Sequence, residues 1–127
     1  MPRKKSTTLT EVEQQIMEVL WDAGSGTVAE VTEALTRYKK VAFNTVQTVL
    51  RILEEKRYVR HKLEGRGFRY TAIVDRHAAS TSAVNYLVRR FFDGAPGKLA
   101  MNLIENERLT PEELAQLNAL IEKARPR

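Results

Sequence analysis

Residues 41–59 read "VAFNTVQTVLRILEEKRYV". Within them Asn44, Thr45, Gln47, Thr48 and Arg51 carry groups that can read a polar surface. An amide offers a donor and an acceptor, a hydroxyl offers either, and a guanidinium presents a planar fork of donors. Their neighbours Val46, Val49, Leu50 and Leu53 recur at steps of three and four, the spacing of one buried helical face. The polar set therefore occupies the opposite face of the same helix, and no carboxylate interrupts that face before Glu54. A helix built only for solubility more often shows Glu and Lys there. In the major groove of duplex DNA, Asn and Gln match adenine, a threonine methyl meets the thymine methyl, and Arg takes guanine. The spacing thus points to base reading by Asn44, Thr45, Gln47, Thr48 and Arg51.

The distribution of charge supports a polyanionic partner. The chain has a net charge of +5, but residues 1–10 carry three positive charges and residues 11–36 carry six carboxylates with no Lys or Arg. Residues 37–69 then hold ten Lys or Arg against Glu54, Glu55 and Glu64. Tyr38, Phe43, Tyr58 and Phe68 interleave this basic block, the expected footprint of a nucleic-acid site. The plainer alternative is a solvated surface, and the segregation of acidic from basic segments argues against it. Lys39, Lys40, Arg60, Lys62 and Arg66 are the expected phosphate contacts around the reading helix.

The elements that must position these groups announce themselves by their caps. Thr10 with Glu13 and Thr27 with Glu30 each form a capping box, opening helices that end near Gly24 and beyond Leu35. The first should bury Val12, Ile16, Val19, Leu20 and Trp21; the second, Val31, Leu35 and Tyr38. The third runs from about Phe43 to Lys56, and three short helices joined this closely suggest a helix-turn-helix. After Arg57 the period changes to two. "YVRHKLE" and "FRYTAIV" alternate on either side of Gly65-Arg66-Gly67, which reads as a tight hairpin with Arg66 at its tip. Val59, His61 and Leu63 should share the inner face. The fold class is mainly α with a small β-hairpin: a winged helix-turn-helix over residues 9–75, preceded by a basic arm, residues 1–8.

Residues 76–127 read as a separate helical segment. Ala79, Ala83, Leu87 and Phe91 fall at four-residue spacing, Gly94–Gly97 breaks the helix, and Lys98–Glu107 follows around Leu99, Leu103 and Ile104. Thr110-Pro111-Glu112-Glu113 then opens a last helix carrying Leu114, Leu117, Leu120 and Ile121. Helices this short cannot cover their own apolar stripes. Either they pack back on the first domain or, more economically, they pair with a second copy. Leu87, Phe91, Leu99, Leu103, Ile104, Leu114, Leu117, Leu120 and Ile121 are the expected dimer interface.

Other classes of function find little in these residues. There is no cysteine, which removes disulfides, thiol catalysis and thiolate metal sites. His61 alternates with core positions and His77 stands apart, so neither a catalytic residue nor a metal or other cofactor is expected. A winged helix used only for protein contacts remains the rival, although such modules usually show a charge-mixed third helix. No apolar run reaches membrane-spanning length and no secretory core follows the basic start, so a cytoplasmic protein without membrane insertion is expected.

Four segments together carry a family resemblance: "LTEVEQQIMEVLW", "AFNTVQTVLRILEEK", "GRGFRYTAIV" and "FFDGAPGKLAMNLIENERLTPEELAQL". From Leu9 to about Ala124 the chain resembles the BlaI/MecI/CopY family of bacterial transcriptional repressors, also called penicillinase repressors. The resemblance implies a homodimer that binds an inverted-repeat, double-stranded operator. It also implies half-sites around a TACA core read through the threonines at Thr45 and Thr48. Asn44 stands where relatives often have Lys or Thr, and Ile52 where Arg is frequent. The copper-responsive branch relies on C-terminal cysteines that this chain lacks. Relatives governed by β-lactam sensing are cleaved in the helix matching Lys98–Glu107, between an asparagine and a phenylalanine. Asn102 followed by Leu103 is the corresponding position here, and a membrane-anchored sensor protease is the partner that such a cut would imply.

Overall fold

The computed structural model describes residues 8–126. Of the basic arm read at residues 1–8, all but Thr8 lies outside them. The elements run α1 (Glu11–Ala23), β1 (Ser25–Thr27), α2 (Val28–Thr36), α3 (Phe43–Glu55), β2 (Val59–Glu64) and β3 (Gly67–Ala72). They continue as α4 (Arg76–Phe91), α5 (Pro96–Asn106) and α6 (Pro111–Ala124). The chain divides into two compact units, one ending at Tyr86 and the other beginning at Leu87, so the division falls inside α4.

All three capping boxes form. Glu13 Oε1 accepts from the Thr10 N–H at 2.7 Å while Thr10 Oγ1 accepts from the Glu13 N–H at 3.2 Å. Thr27 with Glu30 and Thr110 with Glu113 repeat the arrangement. Gly24 ends α1 at φ +87°, a conformation that glycine takes without strain, and its N–H closes on the Leu20 carbonyl.

Leaving Gly24, the chain enters β1, a strand the sequence reading missed because Ser25-Gly26-Thr27 carries only loop and cap signals. It pairs antiparallel with β3, Gly26 opposite Tyr70, giving the sheet order β1-β3-β2. The wing is therefore stitched to the start of α2. The turn between β2 and β3 is a two-residue loop in which Gly65 takes φ +62° and Glu64 pairs with Gly67. That first central position is the one a type II′ hairpin turn gives to glycine.

The core of the first unit joins all of these elements. Ile16, Met17 and Leu20 of α1 meet Val31 and Leu35 of α2, Val46, Leu50 and Leu53 of α3, and Val59 and Tyr70 of the sheet. Val46, Leu50 and Leu53 are fully buried. At about 1.5–3 kcal/mol per buried aliphatic side chain, they fix α3 more firmly than any surface pair can. At the end of α3 the chain turns through Arg57 at φ +66°, with the Tyr58 N–H donating to the Leu53 carbonyl. This is a Schellman-type stop without the usual glycine.

Two expectations fail. Tyr38 is 88% exposed, because α2 ends at Thr36 and releases it from the buried face. On the wing only Val59 and Tyr70 are buried, while His61 and Leu63 project past the edge of the core and are exposed. His61 is thus not packed as a core residue. Its Nδ1 lies 2.6 Å from a Glu54 carboxylate oxygen, and its ring rests against Phe68 and Tyr70.

Candidate nucleic-acid interface

The helix that carries the reading face is anchored on its opposite side and open at its start. Ala42 caps α3 without a side-chain hydrogen bond, so the first N–H groups receive no acceptor from the cap residue. A helix end in this state carries partial positive charge and favours phosphate. No acidic residue occupies its first turn.

Asn44, Thr45, Thr48 and Arg51 are exposed and Gln47 is half-buried, all on α3. From Asn44 to Arg51 the helix rises about 10 Å, or roughly three base-pair steps at 3.4 Å. Buried Val46, Leu50 and Leu53 turn the other face inward, so all five polar groups are presented by one rigid element.

The hairpin brings the wing tip to the same end of α3. Arg66 and Phe68 line a groove of about 250 Å³ together with Phe43 and Gln47 of α3 and Thr27 at the start of α2. Lys39 and Lys40 are exposed in the link between α2 and α3, and Arg60 and Lys62 are exposed on β2, the edge strand.

Not every cation in the basic block is available. Lys56 donates to Glu13 Oε1 at 2.8 Å and to the Thr8 carbonyl at 3.1 Å, and its side chain is 7% exposed. Arg69 is held by Glu64 and Glu30, the two guanidinium-to-carboxylate distances being 2.8 Å and 3.1 Å. Hydrogen bonds donated to both carboxylates, Glu64 first, hold the proton on the guanidinium more tightly than usual. Among the described residues, Lys39, Lys40, Arg51, Arg60, Lys62 and Arg66 form no ion pair, which leaves their charge for a ligand.

Sequence reasoning missed the roles of Lys56 and Arg69, because Glu13 and Glu30 are 43 and 39 residues away and Glu64, five residues from Arg69, meets it only across the hairpin. It also passed over Arg76, which pairs with Glu18 at 2.7 Å and Asp22 at 3.1 Å and lies over the Trp21 ring. The Trp21 indole N–H donates to the Val74 carbonyl, so this cluster fastens the start of α4 to α1.

The second unit is a different kind of surface. Among its described residues only Val88 is buried. Leu87, Phe91, Leu103, Ile104, Leu114, Leu120 and Ile121 are exposed, while Leu99 and Leu117 are half-buried. Leu103, Ile104, Leu117 and Leu120 border one groove of about 330 Å³. Asn102 and Leu103 lie inside α5, where the Asn106 side-chain amide donates to the Asn102 carbonyl at 2.9 Å. Among the described residues, no helix is long and apolar enough to cross a membrane.

Comparison with known proteins places this architecture among relatives. The family model described as penicillinase repressor matches residues 9–123. The penicillinase repressor of Bacillus licheniformis is 29% identical over 124 residues, covering 98% of this chain and 97% of that protein. The methicillin resistance regulatory protein MecI of Staphylococcus aureus (strain N315) is 19% identical over 119 residues, covering 94% and 97% respectively. Among solved structures, the DNA-binding domain of the repressor BlaI aligns with a TM-score of 0.52 at 32% identity. That alignment covers 60% of this chain and 93% of that domain.

Proposed function

The chain belongs to the penicillinase repressor family, and on that premise we propose that it is a sequence-specific DNA-binding repressor that grips an inverted-repeat operator as a homodimer. The observation that carries this reading is the exposed face of α3, free of carboxylates before Glu54 and surrounded by cations that form no ion pair among the described residues. Asn44, Thr45, Gln47, Thr48 and Arg51 would meet base edges in the major groove. Lys39, Lys40, Arg60, Lys62 and Arg66 would meet phosphates and set the register. The reaction is recognition alone; the protein is a regulator and not an enzyme. It works beside its duplex, in the cytoplasm.

The homodimer is supported by the apolar surface that α5 and α6 leave uncovered, with Leu103, Ile104, Leu114, Leu120 and Ile121 all exposed in a single chain. A second copy is the simplest cover, and it places two reading helices on two half-sites. Release by proteolysis fits the same surface. A cut between Asn102 and Leu103 falls inside α5 and would detach Leu103, Ile104 and all of α6 from the DNA-binding unit. A protease needs extended backbone, so α5 would have to unwind locally before a membrane-anchored sensor protease reached that bond.

The test uses a duplex selected from a random pool by the full chain, compared with the same duplex cut to one half-site. A dimer makes the second contact intramolecular, so the intact site should bind at least about 100-fold more tightly. Sedimentation of the free chain should show two copies. A monomer in solution with equal affinity for whole and half sites would overturn the dimeric reading.

A further inference from the structure

From His61 to Phe68 every residue of the hairpin is exposed, and no buried apolar side chain holds the tip. The tip is positioned instead by polar ties on its two faces. On one face His61 reaches Glu54 of α3. On the other, Arg69 gathers partners from three elements. Its Nε donates to Glu64 Oε1 at 2.9 Å and its Nη2 to Glu64 Oε2 at 2.8 Å, a bidentate pair that closes the end of the hairpin. Its Nη1 lies 3.1 Å from Glu30 Oε1 at the first turn of α2 and 3.2 Å from Ser25 Oγ on β1. Planar bidentate pairs of this kind fix direction as well as distance.

The arrangement is unexpected for a surface that meets phosphate. Glu30 and Glu64 are about half exposed, Glu64 two residues before Arg66 on the same hairpin and Glu30 three residues after Thr27, which borders the groove with Arg66, and a polyanion should be repelled by both. We propose that Arg69 is a positioning residue, clamped between Glu64 and Glu30 so that the hairpin tip holds Arg66 against the start of α3, and not a phosphate contact itself. The inference rests on the duplex-binding reading above. Its consequence is that two carboxylates assist the binding of a polyanion.

The experiment therefore removes the carboxylates. Glutamine at position 30 keeps the capping box, which accepts Gln as well as Glu, so Glu30→Gln takes the charge out of the clamp without uncapping α2. With the full chain at fixed salt, Glu30→Gln and Glu64→Gln should each weaken binding to the selected duplex by about two- to fivefold, the range an exposed ion pair supports. Arg69→Lys should retain more affinity than Arg69→Gln. In the free protein, amide hydrogen exchange at Gly67, which pairs with Glu64 across the turn, should quicken in the same variants while α3 keeps its protection. Tighter or unchanged binding after removal of either carboxylate would overturn the proposal, as would unchanged exchange at the tip. A wild-type chain that bound no duplex would sink the functional reading instead, and the exchange rates would still decide the clamp.

Discussion

Replacing Glu13 by glutamine removes the charge that neutralises Lys56 beneath α1 and α3. Glu13 is 3% exposed, and the Lys56 ammonium that it faces is its only ion-pair partner among the described residues. Glutamine still completes the capping box with Thr10, so the cap survives and the electrostatic loss is isolated. The ammonium is left with neutral acceptors only, the Thr8 carbonyl and the amide oxygen of the glutamine. Removing one partner of a buried pair costs about 3–5 kcal/mol. Lys56 lies at the rim beside Thr8 and can tilt towards water, so about 2–4 kcal/mol is expected here. For a domain whose whole stability is about 5–10 kcal/mol, that is a large fraction. Lys56→Met alone should cost less, because the Glu13 carboxylate keeps the Thr10 N–H. The double variant Glu13→Gln/Lys56→Met should recover at least half of the loss, since no uncompensated charge remains. Urea unfolding at constant slope measures all three. A loss below about 0.5 kcal/mol for Glu13→Gln would refute the view that this pair fastens α3.

Four further outcomes follow from the same geometry. Burial pushes the Glu13 carboxyl up, but Lys56 and the Thr10 N–H outweigh it and hold the group below the usual glutamate range. Its stabilising contribution is therefore complete above that range and is lost as pH falls through the lowered folded-state value, so urea midpoints should drop in acid and Glu13→Gln should flatten the dependence. Gln47→Ala or Thr48→Ala should cost about 1–3 kcal/mol on the selected site and relax preference at one or two base pairs, whereas Arg66→Ala should weaken all duplexes alike and shallow the salt slope by about one. Leu120→Asp, at a side chain 62% exposed, should leave the fold intact and shift the sedimenting species from dimer to monomer. Arg57→Gly should raise the unfolding free energy by about 0.5–1 kcal/mol, because φ +66° strains any residue with a Cβ.

Much of this was legible because local rules decide it. The three Thr-x-x-Glu caps open α1, α2 and α6, and the Val46, Leu50 and Leu53 spacing sets which face of α3 turns outward. The wing's reach was misjudged because alternation reports a strand's two faces and not how far the core extends beneath them. His61 and Leu63 keep the period and lose the burial. β1 escaped because three residues without apolar character become a strand only by pairing with β3, whose Thr71 stands opposite Ser25. The inventory of cations was coarser still. Lys56 and Arg69 look identical in sequence to Lys62 and Arg66, and only the fold shows that the first two are already bound. The C-terminal stripe rests on spacing alone, and the structure leaves most of it exposed in a single chain, with Leu99 and Leu117 half-buried.

The central claim is that the α3 face reads bases while the unpaired cations around it hold phosphates. The direct test is the affinity of the full chain for its selected duplex and for a random duplex of equal length, measured across a series of salt concentrations. Specific binding should exceed random binding by at least about 1,000-fold, with log affinity for both falling linearly as log salt rises. Equal affinity for the two duplexes, or binding insensitive to salt, would contradict it.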